Sequence, residues 1–325
     1  MTNSWELYDL LQDTADGNAA VEEVLLGVGW TLCRTEGAEA LPGLSMSPPA
    51  GVRTLPWAGT LVGRPLGELQ AWVRSWDPHE AAVGMAAVNA GIGCAPALAA
   101  QTVPLATDGP ANLAVFEHFL PRLAGKRVTV VGRYPGLERY AQLVDMTVLE
   151  RSAGPGDLPD PACEYVLPES EWVFLTATSI PNKTFPRLAE LSRDANLVLM
   201  GPTAPWLREL RDFGVDFLAG TLVHDRQALR RTIAEGGGTR IFEDGVGYHL
   251  LDLGRTEMTW VGSTIADLVG YRERLTREME TWYGGGRHGT FPKIEELLRV
   301  DRELSVLDLQ FKRLWDARHG RVMAA

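Results

Sequence analysis

Short apolar segments alternate with segments of helical pattern from residue 112 to 234, and this alternation constrains the fold more than any other feature. The apolar segments lack polar residues at every second position, which is typical of strands that are buried on both faces of a parallel sheet. The intervening helices are expected to cover both faces. The predicted strands are 127–131, 146–150, 172–176, 197–200 and 215–218, and the predicted helices 137–144, 185–193, 206–213 and 226–234.

Three regions follow from this pattern and from the segments around it. Residues 1–108 predict a small α+β domain, with strand-forming residues at 21–34 and helices at 65–75 and 78–91. Residues 109–238 form the α/β domain. Residues 239–325 form a C-terminal extension, with a β-hairpin at 241–254 and a helical hairpin beyond it.

The last predicted helix, from residue 293 to about 317, carries a heptad-like apolar seam. This seam permits two arrangements, packing against the rest of the chain or a homodimer through the C-terminal helices. Its apolar residues are Leu297, Val300, Leu304, Leu307, Phe311 and Leu314.

Composition and charge exclude several classes of protein. The formal net charge of −11 disfavours a general nucleic-acid binder. Cys33, Cys94 and Cys163 are too far apart for a disulfide framework or a cysteine-rich zinc site, and they suit a reducing cytosol. The uncharged stretch 81–107 contains Asn89 and two prolines, so a buried helix running into a loop is expected rather than a membrane span. We therefore expect a cytoplasmic protein that does not act on a membrane.

The familiar catalytic motifs are absent, because the sequence contains no GxxxxGK[ST], HExxH or GxSxG, and no GxGxxG follows a predicted strand. No pair of histidines or cysteines has the spacing of a metal motif, so each histidine is interpreted as a surface or core residue. Lys183 is interpreted as solvated. No catalytic residue or metal ligand is assigned, and whether the chain is an enzyme stays open.

The loops after the first two predicted strands permit two interpretations. Gly132 allows the backbone to approach a ligand near a helix start, and Glu150 stands where dinucleotide-binding sheets offer a carboxylate to a ribose. The alternative is a tight turn followed by a solvated acid.

Polar residues also follow the third and fourth predicted strands. Thr184 is a plausible helix cap, whereas Thr178 and Asn182 are left to orient a ligand or brace the loop. Thr203 is expected at the same sheet edge. Asn89 lies in an apolar helix end, where an unpaired amide is costly, so it either caps a neighbour or faces a cleft.

Six motifs, in this order, resemble a family described as "putative heavy-metal chelation", a domain of unknown function: GMAAVNA (84–90), VVGRYP (130–135), ERSAGPGDLPD (150–160), TATSIPNKT (176–184), GPTAPW (201–206) and GVDFLAGTLVHD (214–225). The resemblance covers about residues 5–235. It implies an enolase N-terminal-like first domain, a Rossmann-like second domain and a site in the cleft between them. The residues that it assigns to this cleft are Asn89, Gly132, Arg133, Glu150, Asp157, Thr176, Thr178, Asn182, Thr184, Gly201 and Thr203.

The expected function is binding of a metal ion, a metal chelate or a small anionic ligand in this cleft. Oxygen donors favour harder cations or oxyanions over soft metals, and the identity of the metal stays open. One alternative is an enzyme that uses a nucleotide-type cofactor, S-adenosylmethionine or a dinucleotide. Another is an assembly or carrier protein that acts through its C-terminal helices.

Overall fold

The computed structural model describes residues 4–37, 40–49, 53–140 and 142–318 of the chain. It contains two compact units, Met1–Leu253 and Gly254–Ala325. The first unit holds two β-sheets and the second holds two long helices. No helix within the described ranges combines enough length with enough apolar character to cross a membrane.

A three-stranded antiparallel sheet lies in the N-terminal region, and a seven-stranded sheet lies in the rest of the first unit. The strands of the small sheet pair in the order β1-β2-β3, and those of the large sheet in the order β4-β10-β9-β8-β7-β5-β6. The strands are β1 (Val21–Leu26), β2 (Trp30–Thr35), β3 (Gly43–Met46), β4 (Val103–Pro104), β5 (Arg127–Val131), β6 (Asp145–Leu149), β7 (Trp172–Thr176), β8 (Asn196–Met200), β9 (Phe217–Val223) and β10 (Val246–Asp252).

Helices connect these strands, and several connections are short 3₁₀ turns. The α-helices are α1 (Glu6–Thr14), α2 (Leu66–Gln70), α3 (Pro78–Ile92), α4 (Pro96–Ala99), α5 (Ala114–Leu123), α6 (Cys163–Val166), α7 (Phe185–Leu191), α8 (Arg226–Ala234), α9 (Ile241–Asp244), α10 (Arg255–Gly284) and α11 (Ile294–Arg318). The 3₁₀ segments are Ala71–Arg74, Ala111–Leu113, Leu137–Tyr140, Asp160–Ala162, Leu167–Glu169, Ala177–Ser179 and Arg208–Phe213.

The large sheet has a parallel core, as the apolar segments predict. Strands β6, β5, β7, β8 and β9 run parallel, whereas β10 and β4 add an antiparallel edge. Phe174 and Val198 pack on one face in a cluster with residues of α5. Leu175 and Leu199 pack on the other face with residues of α1, α3 and α7. The prediction of an α/β fold with helices on both faces is therefore confirmed.

Three predicted elements are wrong, and one of them, the expected helix 206–213, is a 3₁₀ segment, Arg208–Phe213. The segment 241–254 is not a hairpin, because α9 is followed by one strand, β10, which pairs with β9 along its whole length. The range 239–325 expected for the extension thus contributes a strand to the large sheet. The expected helix 137–144 is only a 3₁₀ turn, Leu137–Tyr140, and follows a left-handed Gly136 with φ +89° in a short connection between adjacent strands.

The second unit is an antiparallel helical hairpin, as predicted. The hydroxyl of Tyr271 on α10 donates to Glu296 on α11 (2.6 Å), and Lys293 donates to Glu278 (2.8 Å). Apolar side chains of the predicted seam, among them Leu297 and Val300, are buried between the helices. The side chain of Leu314, the last predicted seam position, lies outside the described residues.

Candidate functional site

The carboxyl ends of the parallel strands share one edge of the large sheet, and the N-terminal region packs against this edge. The hydroxyl of Tyr8 donates to the carbonyl oxygen of Ile180 (2.8 Å), in the loop after β7. The backbone N–H of Met46 donates to Thr203 Oγ1 (2.9 Å), in the loop after β8. Loops after two neighbouring strands therefore contact the first hundred residues.

Asn89 lies at this junction, near the end of α3. Its Nδ2 donates to the carbonyl oxygens of Leu44 (2.7 Å) and Thr203 (3.0 Å). These two acceptors fix the orientation of the amide, because a flipped side chain would place its oxygen against two other oxygens. The opposite atom, Oδ1, is buried and accepts no hydrogen bond from the described residues. A buried acceptor without a donor costs about 1–3 kcal/mol, so a donor or cation bound there would be stabilised.

Thr203 and Gly201 shape the same junction from the side of the large sheet. Thr203 is buried, with 1% of its surface exposed, and its hydroxyl accepts from Met46. That hydroxyl therefore holds the two regions together. Gly201 has φ +116°, a conformation that favours glycine, and turns the chain directly after β8.

Gly132 and the two threonines after β7 form a second group. Gly132 has φ +98°, and a Cβ atom there would lie 3.0 Å from Thr176 Cγ2. Thr176 Oγ1 donates to Thr178 Oγ1 (3.2 Å), and Thr176 caps the start of the 3₁₀ segment Ala177–Ser179. Gly132 thus permits close contact between the loops after β5 and β7.

The end of the loop after β7 differs from its sequence prediction. Thr184 precedes α7, but its side chain does not cap that helix; Oγ1 donates back to the carbonyl oxygen of Ser179 (3.4 Å). The side chain of Asn182 is exposed, and its backbone N–H donates to Thr178 (3.2 Å). Thr178 and Asn182 are therefore joined through the backbone.

Lys183 is half-buried and hydrogen-bonded to the protein, whereas its sequence interpretation is a solvated side chain. Its backbone is left-handed, with φ +63°, and its ammonium group donates to the carbonyl oxygens of Ser75 and Pro181 (2.8 Å for Pro181). Burial lowers the pKa of Lys183 to about 8. Because Ser75 belongs to the N-terminal region, this side chain is a further link across the junction.

Arg133, Glu150 and Asp157 form a separate charged group at the β5–β6 end of the edge. Arg133 Nη2 donates to Asp157 Oδ1 (2.6 Å), and this hydrogen bond lowers the pKa of the Asp157 carboxyl. The two carboxylate oxygens of Glu150 accept from the backbone N–H groups of Arg133 (2.8 Å) and Ser152 (3.3 Å). These carboxylates brace neighbouring loops.

The acidic and thiol groups of the described residues do not form a site for a bare metal ion. Within the described part of the chain, no three His, Cys, Asp or Glu side chains come together in a way that could hold one. Cys33 is buried, Cys94 and Cys163 are partly buried, and burial raises the pKa of all three thiols.

Sequence reasoning missed a pair of histidines on the antiparallel side of the sheet. His224 follows β9 and His249 lies on β10, and their ring centroids are 6.1 Å apart. Thr102 Oγ1 lies 2.9 Å from His249 Nδ1 and donates its own proton to the carbonyl oxygen of Ala99 (2.7 Å). The two histidines are 25 positions apart in sequence, so only the register between β9 and β10 brings them together.

A cavity of about 450 Å³ lies away from these residues, between the small sheet and α8. Charged side chains line it, but they are already paired: Arg34 with Glu22 and Arg230 with Glu23. None of the predicted site residues lines this cavity.

Comparison with known proteins gives consistent matches over both regions of the first unit. Residues 114–252 match DUF364 and residues 8–92 match DUF4213, both described as "putative heavy-metal chelation". A crystal structure of a DUF364 protein of unknown function from Desulfitobacterium hafniense is 30% identical, with a TM-score of 0.67; the match covers 78% of this chain and all of that one.

Two further proteins are also similar. A DUF364 protein of unknown function from Pyrococcus horikoshii shares the fold, with a TM-score of 0.61 at 19% identity, over 77% of this chain and 99% of that one. An uncharacterized protein from Methanocaldococcus jannaschii is 30% identical over 174 residues, which is half of this chain. The match spans 62% of the length of that curated relative.

Proposed function

The chain belongs to the DUF364 family, described as "putative heavy-metal chelation", and from this premise we propose that it binds a metal ion already held by a small polar chelator. The proposed binding site is the junction between the N-terminal region and the edge of the large sheet where the parallel strands have their C-terminal ends. The chelator would supply most of the metal ligands, and the protein would recognise the complex by hydrogen bonds. The chain would then take part in metal handling.

The buried Oδ1 of Asn89 is the observation that carries this proposal. Two carbonyl acceptors hold the other end of the amide, so Oδ1 is a buried acceptor of fixed orientation at the junction. A hydroxyl group of the chelator or a metal-bound water would donate to it. The carboxylates of Glu150 and Asp157 already accept hydrogen bonds, which favours a complex that does not depend on them as metal ligands.

Titration calorimetry with Zn²⁺, Mg²⁺, citrate and the two metal–citrate complexes tests the proposal. We expect a complex to bind more tightly than its separate components. Asn89→Ala should weaken that binding about tenfold, because one hydrogen bond to a buried group contributes about 1–1.5 kcal/mol.

Asn196→Ala is the matched control. Asn196 also donates through Nδ2 to a backbone carbonyl, that of Glu171 (3.0 Å), but it lies at the opposite end of the parallel strands, where β8 begins. Equal weakening in both variants, or in neither, would contradict the proposal. S-adenosylmethionine and NAD are titrated alongside; binding of either that Glu150→Ala abolishes would favour a cofactor-dependent enzyme instead.

A further inference from the structure

We propose that His224 and His249 form a second site, separate from the Asn89 junction, which binds a divalent transition metal ion through the protein's own imidazoles. Imidazole nitrogen suits zinc, copper and nickel, in contrast to the oxygen-rich residues of the junction. This inference goes beyond the proposed function, because it involves different residues and a free metal ion in place of a chelate.

The separation of the rings is suited to one shared ion. Metal–nitrogen bonds of about 2.0–2.1 Å, together with the ring radii, bridge centroids about 5–6 Å apart. The observed separation is 6.1 Å, and His224 is exposed, so a small rotation of its side chain closes the remaining gap. His249 is partly exposed, and an ion reaches the pair from solvent.

The hydrogen bonds of Thr102 determine which nitrogen of His249 is available. The single hydroxyl proton of Thr102 goes to the carbonyl oxygen of Ala99, which can only accept. His249 Nδ1 must therefore carry a proton and donate it to Thr102 Oγ1, which leaves the lone pair on Nε2. Metal-binding histidines are typically oriented by such a bond from their second nitrogen.

Gly247 provides the space that His224 faces. A Cβ atom at residue 247 would lie 2.5 Å from His224 Nε2 but 3.3 Å and 3.6 Å from the two ring carbons bonded to that nitrogen. The ring of His224 is therefore oriented with Nε2 toward Gly247. Gly247 and His249 are two residues apart on β10, and alternate residues of a strand lie on the same face. Both rings therefore lie over one patch of the sheet, and the missing side chain at residue 247 lets His224 Nε2 approach it.

Two imidazoles leave other coordination positions to water. No third His, Cys, Asp or Glu joins the pair within the described ranges, so moderate affinity is expected. The net charge of −11 favours approach of a cation.

Calorimetry of the full-length, tag-free protein with Ni²⁺ and Zn²⁺ tests the site, with Mg²⁺ for comparison. We expect one site for Ni²⁺ and for Zn²⁺, and none for Mg²⁺ that depends on these histidines. His224→Ala and His249→Ala should each weaken Ni²⁺ binding at least tenfold, and electron paramagnetic resonance of the Cu²⁺ complex should show two imidazole nitrogens.

The Gly247→Ala variant tests whether the two rings bind a metal ion or only lie close together. Residue 247 does not have a positive φ, and the three atoms nearest to the added methyl all belong to the exposed ring of His224, so the fold should persist while Ni²⁺ binding falls at least tenfold. His118→Ala, which removes an imidazole from α5, is the control and should bind Ni²⁺ like the wild type. Unchanged binding in Gly247→Ala or in either histidine variant, or the same loss in His118→Ala, would overturn the proposal. Loss of chelate binding in Asn89→Ala is independent of these outcomes.

Discussion

Lys183 combines two unfavourable features at one residue, a left-handed backbone and a half-buried ammonium group. A left-handed non-glycine residue costs about 1–3 kcal/mol and persists only where the surroundings hold it. Here the carbonyl oxygens of Ser75 and Pro181 bind the ammonium group and tie the loop after β7 to the N-terminal region. The unfavourable conformation therefore accompanies a contact that keeps the junction closed.

The lowered pKa of Lys183 makes stability depend on pH in a definite direction. Its pKa is about 8 in the folded chain, against an ordinary value of 10.5, so between these values the unfolded chain binds more protons. The free energy of unfolding should then rise with pH across this interval, whereas the full cost of burying the charge persists below it. Urea unfolding of the wild type and of Lys183→Met, at pH 7.5 and 9.5, measures the effect. A stability difference between the two proteins that stays constant with pH would contradict this prediction.

The role of a candidate site residue could be predicted from the sequence only where neighbouring residues along the chain determine it. Asn89 stands out in the sequence because an amide in an apolar helix end needs partners, and in the structure it has two. The role of the Thr203 hydroxyl depends on Met46, 157 residues away, and the histidine pair depends on the register of β9 and β10. Such partners come together only in the folded chain, and the spacing of residues within a motif does not reveal them.

At the scale of elements, buried parallel strands were easier to predict than edge strands. Strands β5, β7 and β8 are mostly apolar and show no polar residue at every second position, because both of their faces are covered. By contrast, β4 has only two residues, and β10 is identified by its partner β9 rather than by its own pattern. For this reason the sequence predicts a local hairpin at 241–254, whereas β10 in this segment pairs with β9 of the large sheet.

Close packing of β3 against α3 positions the Asn89 junction. A Cβ atom at Gly43 would lie 2.1 Å from the carbonyl oxygen of Ala86 and 2.2 Å from the backbone nitrogen of Ala90, so α3 would have to move. Gly43→Ala should lower the free energy of unfolding by about 1–3 kcal/mol and weaken binding at Asn89, since Leu44 is the next residue. Chemical denaturation and calorimetry measure the two effects. Gly238→Ala makes the same change where no atom lies within 4 Å; an equal effect there would argue against this mechanism.

At the scale of the whole molecule, the first unit contains all ten strands of the described chain and both proposed binding places. Its N-terminal region and large sheet are joined by side chains of Tyr8, Asn89 and Lys183, which link segments that are far apart in sequence. Ligand binding at the junction therefore depends on contacts from both regions. The helical hairpin supplies none of these residues, so a different role is expected for it.

We predict that the helical hairpin makes the chain a homodimer. The hairpin buries one apolar stripe between its helices, yet Val269 on α10 and Leu298 and Leu309 on α11 remain exposed. A second copy would cover such side chains in a four-helix arrangement, which buries more apolar surface than two helices can. Sedimentation equilibrium should give a dimer for the full chain and a monomer for a chain ending at Leu253, where the first unit ends. Circular dichroism and Ni²⁺ binding should show that the shortened chain stays folded, and the same oligomeric state for both chains would exclude the hairpin as the dimer contact.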